Sequence, residues 1–213
     1  MSETTQFRAS VLCLKFAAVS GMLTLASCAA PDYTPQVQAA IKNGFRAEGI
    51  AGVDRVTQDA FHQLCSDPAK ANSPQAAAER EKLQTAALAA IKPPSDGKYL
   101  GDWKNGEKIA QSGRGATWSD KPGTENGGGC YNCHQIDRKE ISHGTIGPPL
   151  WNYGKLRGNS DAILTYTWNR LNNSKAYNAC SNMPRFGHAG LLTEKQIQDL
   201  MALLLDPASP VNQ

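Results

Sequence analysis

The stretch GGGCYNCHQID, from Gly127 to Asp137, decides how the whole sequence is interpreted. It contains Cys130 and Cys133, separated by two residues, and His134 directly after the second cysteine. A Cys-x-x-Cys-His run can attach haem covalently, bind zinc or act as a redox-active dithiol. The residues elsewhere in the chain must decide among these three uses.

The supporting residues favour covalent haem. Structural zinc needs a second Cys or His pair at ligand spacing, whereas the other histidines are single and far apart in the sequence. A redox-active dithiol of the thioredoxin type lies in a βαβ pattern, which this sequence lacks. The motif therefore predicts one covalent haem c, attached through Cys130 and Cys133, with His134 as an axial ligand of the iron.

The other axial position has four candidate ligands, Met183, Met201, His143 and His188. Met201 belongs to the apolar stripe of the last predicted helix, so we expect it in the core. His143 lies in a loop that suits one haem edge better than the opposite face. Met183 lies in CSNMPRFGHAG, a loop just before the last helix, and is the predicted ligand, with His188 as the alternative. A filled position favours electron transfer over substrate chemistry at the iron.

Residues 1–28 are predicted to be an export signal. Positive charge precedes a short apolar core, FAAVSGMLTLA, and small residues follow it. Two processing routes stay open: ordinary cleavage near Cys28 to Ala30, or a lipoprotein box, LASC, in which Cys28 becomes the acylated first residue. Both routes place the mature chain in the periplasm, with a lipid anchor through Cys28 in the second.

The remaining chain predicts a mainly α protein in two parts. The net charge is +3 without a long basic run, which argues against nucleic acid as the main partner. Residues 31–97 are rich in Ala, Gln, Glu and Lys and predict a helical extension, with Ser73 capping one helix. Residues 98–213 predict a second, helical domain, with helix starts at Asp102 and at Thr193.

Two cysteines lie outside both the signal and the motif, namely Cys65 and Cys180. Unpaired thiols are uncommon in an oxidising compartment, so an even pair favours a disulfide. Such a bond would connect the helical extension to the loop that carries Met183. The alternative is two buried free thiols.

From about Leu100 to Asp206 the chain resembles a class I cytochrome c. The resemblance rests on the order of its segments: a helix, CYNCH, GTIGPPLWNYG, a methionine loop and a C-terminal helix. It implies that the carbonyl of Pro148 accepts a hydrogen bond from His134 and that Leu150 lines the haem pocket.

A narrower resemblance is to the SoxX family, carried by the Ala-rich extension together with CYNCHQID, GTIGPPL, NMPRFG and LTEKQIQDLMALL. It implies a heterodimer with a larger c-type cytochrome, SoxA. That SoxAX complex is an L-cysteine S-thiosulfotransferase, which oxidatively couples thiosulfate to a cysteine of the SoxYZ carrier. This chain would accept the electrons and pass them to a downstream acceptor, while the catalytic centre would lie on SoxA. No catalytic residue is expected here.

Two rival functions stay open. One is a stand-alone electron shuttle, which would be stable and active alone. The other is a haem-based sensor or peroxidase, which would need an open or displaceable axial position.

Overall fold

The computed structural model of the chain describes residues 31–67 and 71–213, and the predicted export signal lies outside them. The chain divides into two compact units after Gly44. The predicted extension at 31–97 therefore contributes its first helix to one unit and its remaining residues to the other.

Helices supply nearly all the regular structure of the described residues. The α-helices are α1 (Thr34–Gly44), α2 (Ala60–Cys65), α3 (Pro74–Ala89), α4 (Trp103–Gln111), α5 (Tyr153–Arg157), α6 (Asp161–Asn172) and α7 (Glu194–Leu205). Short 3₁₀ helices span Val53–Val56, Cys130–Asn132, Ser174–Ala176 and Pro210–Asn212. Across these ranges the β pairing amounts to one isolated bridge, Glu48 to Ala51. The prediction of a mainly α protein is confirmed.

Three helix starts confirm the predicted capping residues. The Ser73 side chain accepts a hydrogen bond from the Ala76 amide at the start of α3. Asp102 caps α4 with its side chain, and Thr193 forms a reciprocal capping box with Gln196 at α7. These side chains satisfy amides that have no partner within the helix, so they fix where each helix begins.

Within the described residues, the first unit consists of α1 and the three residues before it. The Asp32 carboxylate accepts a hydrogen bond from the Thr34 amide at 2.9 Å, which marks the start of the helix. None of the α1 residues is buried.

The main core of the second unit forms where α4 packs against α7. Every residue from Gln196 to Leu205 is buried, including Met201, which confirms its predicted place in the core. Gly106 permits the close approach, since a Cβ there would lie 2.1 Å from the carbonyl oxygen of Asp199. The apolar stripe of α7 predicts one buried face, whereas in the structure the helix is buried on all sides from Gln196 to Leu205.

A buried carboxylate holds the start of α4 against α7. The Asp199 side chain, 1% exposed as a residue, accepts hydrogen bonds from the Asp102 amide, the Asn105 side chain and Lys195, each at 2.7 Å. Burial alone would raise the pKa of Asp199, but these hydrogen bonds outweigh it and hold the pKa below its usual value. The carboxylate therefore stays ionised in the core at neutral pH.

A second, smaller apolar cluster joins the helices before residue 97 to the loop after α6. Its buried members are Phe61, Ala87, Ala176 and Ala179. Near it, the indole of Trp168 donates a hydrogen bond to the carbonyl of Lys92 at 2.8 Å. Residues 45–97 thus pack with the later part of the same unit.

Candidate functional site

The Cys-x-x-Cys-His loop is anchored to the end of α4 through three glycines. The amides of Gly127, Gly128 and Gly129 each donate a backbone hydrogen bond of 2.8 Å to a carbonyl in or just after α4. Gly129 has a φ of 56°, a left-handed conformation that favours glycine. The turn that follows begins at Cys130, so the glycines position both cysteines.

The two thiols of the loop are free and partly buried. Burial raises the pKa of the Cys130 thiol to about 12. Reactive dithiols depend on a lowered pKa, because the thiolate is the attacking species. The Cys130 thiol is therefore poorly suited to attack in thiol–disulfide exchange, which leaves the other uses of the motif to be weighed.

The ring of His134 is oriented by the backbone. Its Nδ1 lies 2.7 Å from the carbonyl oxygen of Pro148 and donates to it, in the arrangement that the cytochrome resemblance implies. A proton on Nδ1 leaves Nε2 with a free lone pair, which is the arrangement of a metal-binding histidine. The contact thus sets both the tautomer and the orientation of the imidazole ring.

The segment that contains Pro148 lies alongside the motif. The Gly147 amide donates to the Cys133 carbonyl at 2.8 Å, and the Leu150 amide donates to the Gln135 carbonyl at 2.7 Å. A Cβ at Gly147 would lie 2.2 Å from Cε1 of His134, so the backbone here approaches the imidazole more closely than any side chain would allow. Glycine at this position leaves room for the ring.

Apolar side chains in this segment face solvent. Ile146 is 75% exposed and Ile141 is 96% exposed, while Leu150 is partly buried against the main core. Apolar surface beside an oriented imidazole and two free thiols suits a large apolar group bound at the same place. The residues therefore fit a covalently attached haem.

The loop that carries Met183 is held at its backbone. Ser174 donates its hydroxyl hydrogen to the Met183 carbonyl at 2.6 Å, and the Met183 amide donates to the Ser181 hydroxyl at 3.2 Å. The Met183 side chain packs, partly buried, against the main core. The two alternative candidates lie in other surroundings. The His188 side chain is exposed, and Nδ1 of His143 lies 3.2 Å from the carbonyl oxygen of Gly144.

The same loop is fixed by a disulfide between Cys65 and Cys180, with a Cα–Cα distance of 5.5 Å. The bond connects the last residue of α2 to the loop three residues before Met183, across a sequence separation of 115. It is the pairing that the sequence predicts.

An ion pair reinforces this connection. Arg185 lies 2.7 Å from the Asp59 carboxylate, which also caps α2 by accepting from the His62 amide at 2.9 Å. Burial acts to raise the pKa of Asp59, but the bonds from His62 and Arg185 outweigh it and hold the pKa below its usual value. The Met183 loop is therefore linked to α2 by charge at the N-terminus of the helix and by a covalent bond at its C-terminus.

Beside the disulfide lies a cavity of about 370 Å³, lined by residues of α2 and of positions 175–185. The cationic side chains in its lining are Lys175 and Arg185, and no sequence pattern predicts a role for either. No motif spacing connects residues so far apart in the chain, so the cavity becomes visible only in the folded structure.

Within residues 31–67 and 71–213, no three His, Cys, Asp or Glu side chains form a group able to hold a metal ion. A haem iron does not require such a group, since the porphyrin supplies four donors and the protein only the axial ligands. None of the described helices is long and apolar enough to cross a membrane.

The fold and the site define a mainly helical protein with two anchored loops: the Cys-x-x-Cys-His loop is held to the end of α4, and the Met183 loop is held by a disulfide to α2. No protein-family profile matches the chain. It is 37% identical over 158 residues to an uncharacterised lipoprotein of Aquifex aeolicus (strain VF5), which covers 73% of each chain. The chain belongs to the family of that lipoprotein.

Proposed function

We propose that this chain is an exported monohaem cytochrome c of the class I type, which carries electrons. The observation that supports this most directly is the 2.7 Å hydrogen bond from Nδ1 of His134 to the Pro148 carbonyl. It prepares Nε2 for iron, next to two thiols that are free and spaced for thioether bonds.

Each residue of the site has a defined part in this proposal. Cys130 and Cys133 would hold the haem covalently, and His134 and Met183 would ligate its iron, with Leu150 against its edge. When bound, the haem supplies a reversible one-electron couple, and methionine ligation raises its potential relative to two histidines. The Pro148 carbonyl keeps the proton on Nδ1 and increases the basicity of the ligand nitrogen.

The chain's own contacts suit electron transfer more than ligand chemistry. A sensor or peroxidase needs a loop that opens at the iron, whereas the Met183 loop is fixed by Ser174, by a disulfide and by the Arg185–Asp59 ion pair. Fixed ligands reduce the structural change between the two oxidation states. This favours a fast electron carrier.

More narrowly, we propose the role that the SoxX resemblance implies. The chain would be the electron-accepting subunit of a SoxAX thiosulfotransferase, with the reaction at SoxA, the substrate cysteine on SoxYZ, and a downstream acceptor for the electrons. The exported state is supported by the signal-like N-terminus and by the relative that is described as a lipoprotein. Acylation of Cys28 would then tether the protein to a membrane surface.

The haem proposal is tested on protein expressed with its signal in a host that attaches haem c. Covalent haem should persist on a denaturing gel and disappear in Cys133→Ser. In Met183→Leu, the weak red absorption band typical of ferric iron with a methionine ligand should vanish. Met201→Leu is the matched control, because Met201 is buried in the main core and should leave the band unchanged.

A methionine band that persists in Met183→Leu would remove Met183 as the ligand, and absence of the band from the wild type would make His188 the candidate. Rapid binding of carbon monoxide to the reduced wild type would favour the sensor or peroxidase. The absence of covalent haem would overturn the proposal as a whole.

The partner is tested by affinity purification of the tagged protein from its native periplasm after growth on thiosulfate. A second, larger band that stains for haem supports the SoxAX role. A single haem protein with the methionine band supports the stand-alone shuttle.

A further inference from the structure

The cavity beside the Cys65–Cys180 disulfide carries positive charge that the described residues do not neutralise. Lys175 lines it and is only 6% exposed as a residue. Its ammonium lies 5.5 Å from the centroid of the Phe61 ring and makes no ion pair or hydrogen bond with any residue that the structure describes. No buried side-chain nitrogen among the described residues lacks a hydrogen-bond partner, so the Lys175 ammonium must reach the solvent of the cavity, where water or a bound anion supplies its acceptors.

The second cation of the cavity is Arg185, which is paired on one side only. Its guanidinium lies 2.7 Å from Asp59, but guanidinium has five N–H donors and one carboxylate uses two of them at most. Among the described residues no Asp or Glu lines the cavity. Two cations therefore share one nearby carboxylate.

The rest of the lining supplies neutral donors. Ser181 and Asn182 of the Met183 loop offer a hydroxyl and an amide, whereas the Ser66 hydroxyl already donates to the His62 carbonyl and Nδ1 of His62 lies 2.9 Å from the Asp59 carboxylate. Asn182 is exposed at the rim, and its side chain makes no hydrogen bond to the described part of the chain. Hydroxyl and amide donors beside two cations are a usual environment of a bound oxyanion.

We infer that this cavity binds a small divalent oxyanion, of the sulfate or phosphate type, against Lys175 and Arg185. Its volume of about 370 Å³ accepts such an ion together with several waters. The anion would replace water as the acceptor for Lys175 and would use the Arg185 donors that Asp59 leaves over. None of Cys130, Cys133, His134 and Pro148 lines the cavity, but Met183 does, so the site borders the loop that carries the second proposed iron ligand.

The inference is tested by isothermal titration of the purified full-length protein with sodium sulfate and with sodium phosphate, at an ionic strength held constant with sodium chloride. The expected result is saturable binding at a single site. In Lys175→Met, which keeps the apolar stem beside Phe61 but removes the charge, affinity should fall about tenfold or more.

Asn182→Asp provides an independent test, because an exposed rim residue can be changed without disturbing the fold. A new negative charge there should also weaken binding, whereas Gln111→Glu, which adds the same charge at an exposed position away from the cavity, should not. Heat no greater than that of dilution, or affinity equal in Asn182→Asp and wild type, would overturn the inference. The measurement does not depend on haem, so its failure and that of the proposed function are distinguishable.

Discussion

The two loops that carry the predicted iron ligands are held in opposite ways. His134 is fixed by backbone contacts to its own neighbourhood, between Ile109 and Pro148: glycine amides anchor the loop to the end of α4, and the Pro148 carbonyl orients the ring. Met183 is fixed instead by Ser174 nearby and by two connections to α2, the disulfide and the Arg185–Asp59 ion pair. Local geometry therefore sets one ligand, and a long-range connection sets the other.

This difference teaches where each ligand is vulnerable. The His134 side depends on the space around one ring, so a single added methyl group should disturb it. The Met183 side depends on a covalent bond between segments that are far apart in the sequence. Its stabilising effect should come from the conformational entropy that the bond removes from the unfolded chain.

The largest expected effect is on the Met183 side. Replacing both Cys65 and Cys180 by serine should lower the free energy of unfolding by about 4 kcal/mol, because the bond closes a loop of more than a hundred residues. Urea denaturation of the oxidised wild type and of the double variant measures this difference.

The control for this change is the wild type in the presence of a reductant, which should unfold at the same urea concentration as the double variant. If the double variant retains the stability of the oxidised wild type, the bond does not constrain the loop and the comparison between the two sides fails.

On the His134 side, Gly147→Ala should cost about 2 kcal/mol, since its Cβ would lie 2.2 Å from the imidazole and must displace the ring or the backbone. Gly113→Ala is the matched control, because its nearest contact would be 3.7 Å away, an ordinary distance. Thermal unfolding of the three proteins gives the comparison. Equal losses in both variants would mean that the ring is not confined as the structure indicates.

A smaller effect is expected from Ser174→Ala, which removes the hydroxyl that donates to the Met183 carbonyl at 2.6 Å. The loss should be about 1 kcal/mol in the oxidised protein. Combining it with the double serine variant gives a double-mutant cycle. Strictly additive losses would show that the hydroxyl and the disulfide act on the loop independently, whereas a smaller combined loss would show that they hold it as one unit.

The smallest effect concerns pH. Because the pKa of Asp59 is held below its usual value in the folded protein, its contribution to stability is present above the ordinary aspartate pKa and is lost as pH falls through the folded pKa. Stability measured between neutral pH and the acid range should decline less steeply in Asp59→Asn than in the wild type. Parallel acid profiles would mean that the ion pair with Arg185 does not stabilise the loop.

The sequence predicts the local features of this protein well and the long-range ones poorly. The capping residues Ser73, Asp102 and Thr193 act on amides two or three positions away, so pattern alone suffices for them. The Cys130–His134 motif is equally local. The role of Asp199 was not predicted, because an acidic residue in an apolar helix shows its partners only when α4 lies across α7.

The cysteine pairing lies between these cases. The even number of remaining cysteines and the oxidising compartment predict that Cys65 and Cys180 form a bond. They do not predict that Arg185 and Asp59 meet beside it. The cavity with Lys175 has no signal in the sequence, since charged residues are ordinarily exposed and a lysine in an Asn-Ser-Lys-Ala run predicts a surface turn. Its burial follows from the packing of the 3₁₀ turn Ser174–Ala176 against the second apolar cluster.

The disulfide also makes demands on the order of maturation. The described part of the chain contains four cysteines, which allow three complete pairings. In an unfolded chain the ends of short loops meet most often, so random oxidation would favour Cys130 with Cys133 over partners 115 residues apart. The folded protein has the opposite outcome, with the near pair reduced and the distant pair bonded. Under the proposed function, Cys130 and Cys133 must therefore stay reduced until haem is attached, while Cys65 and Cys180 are oxidised on the same polypeptide.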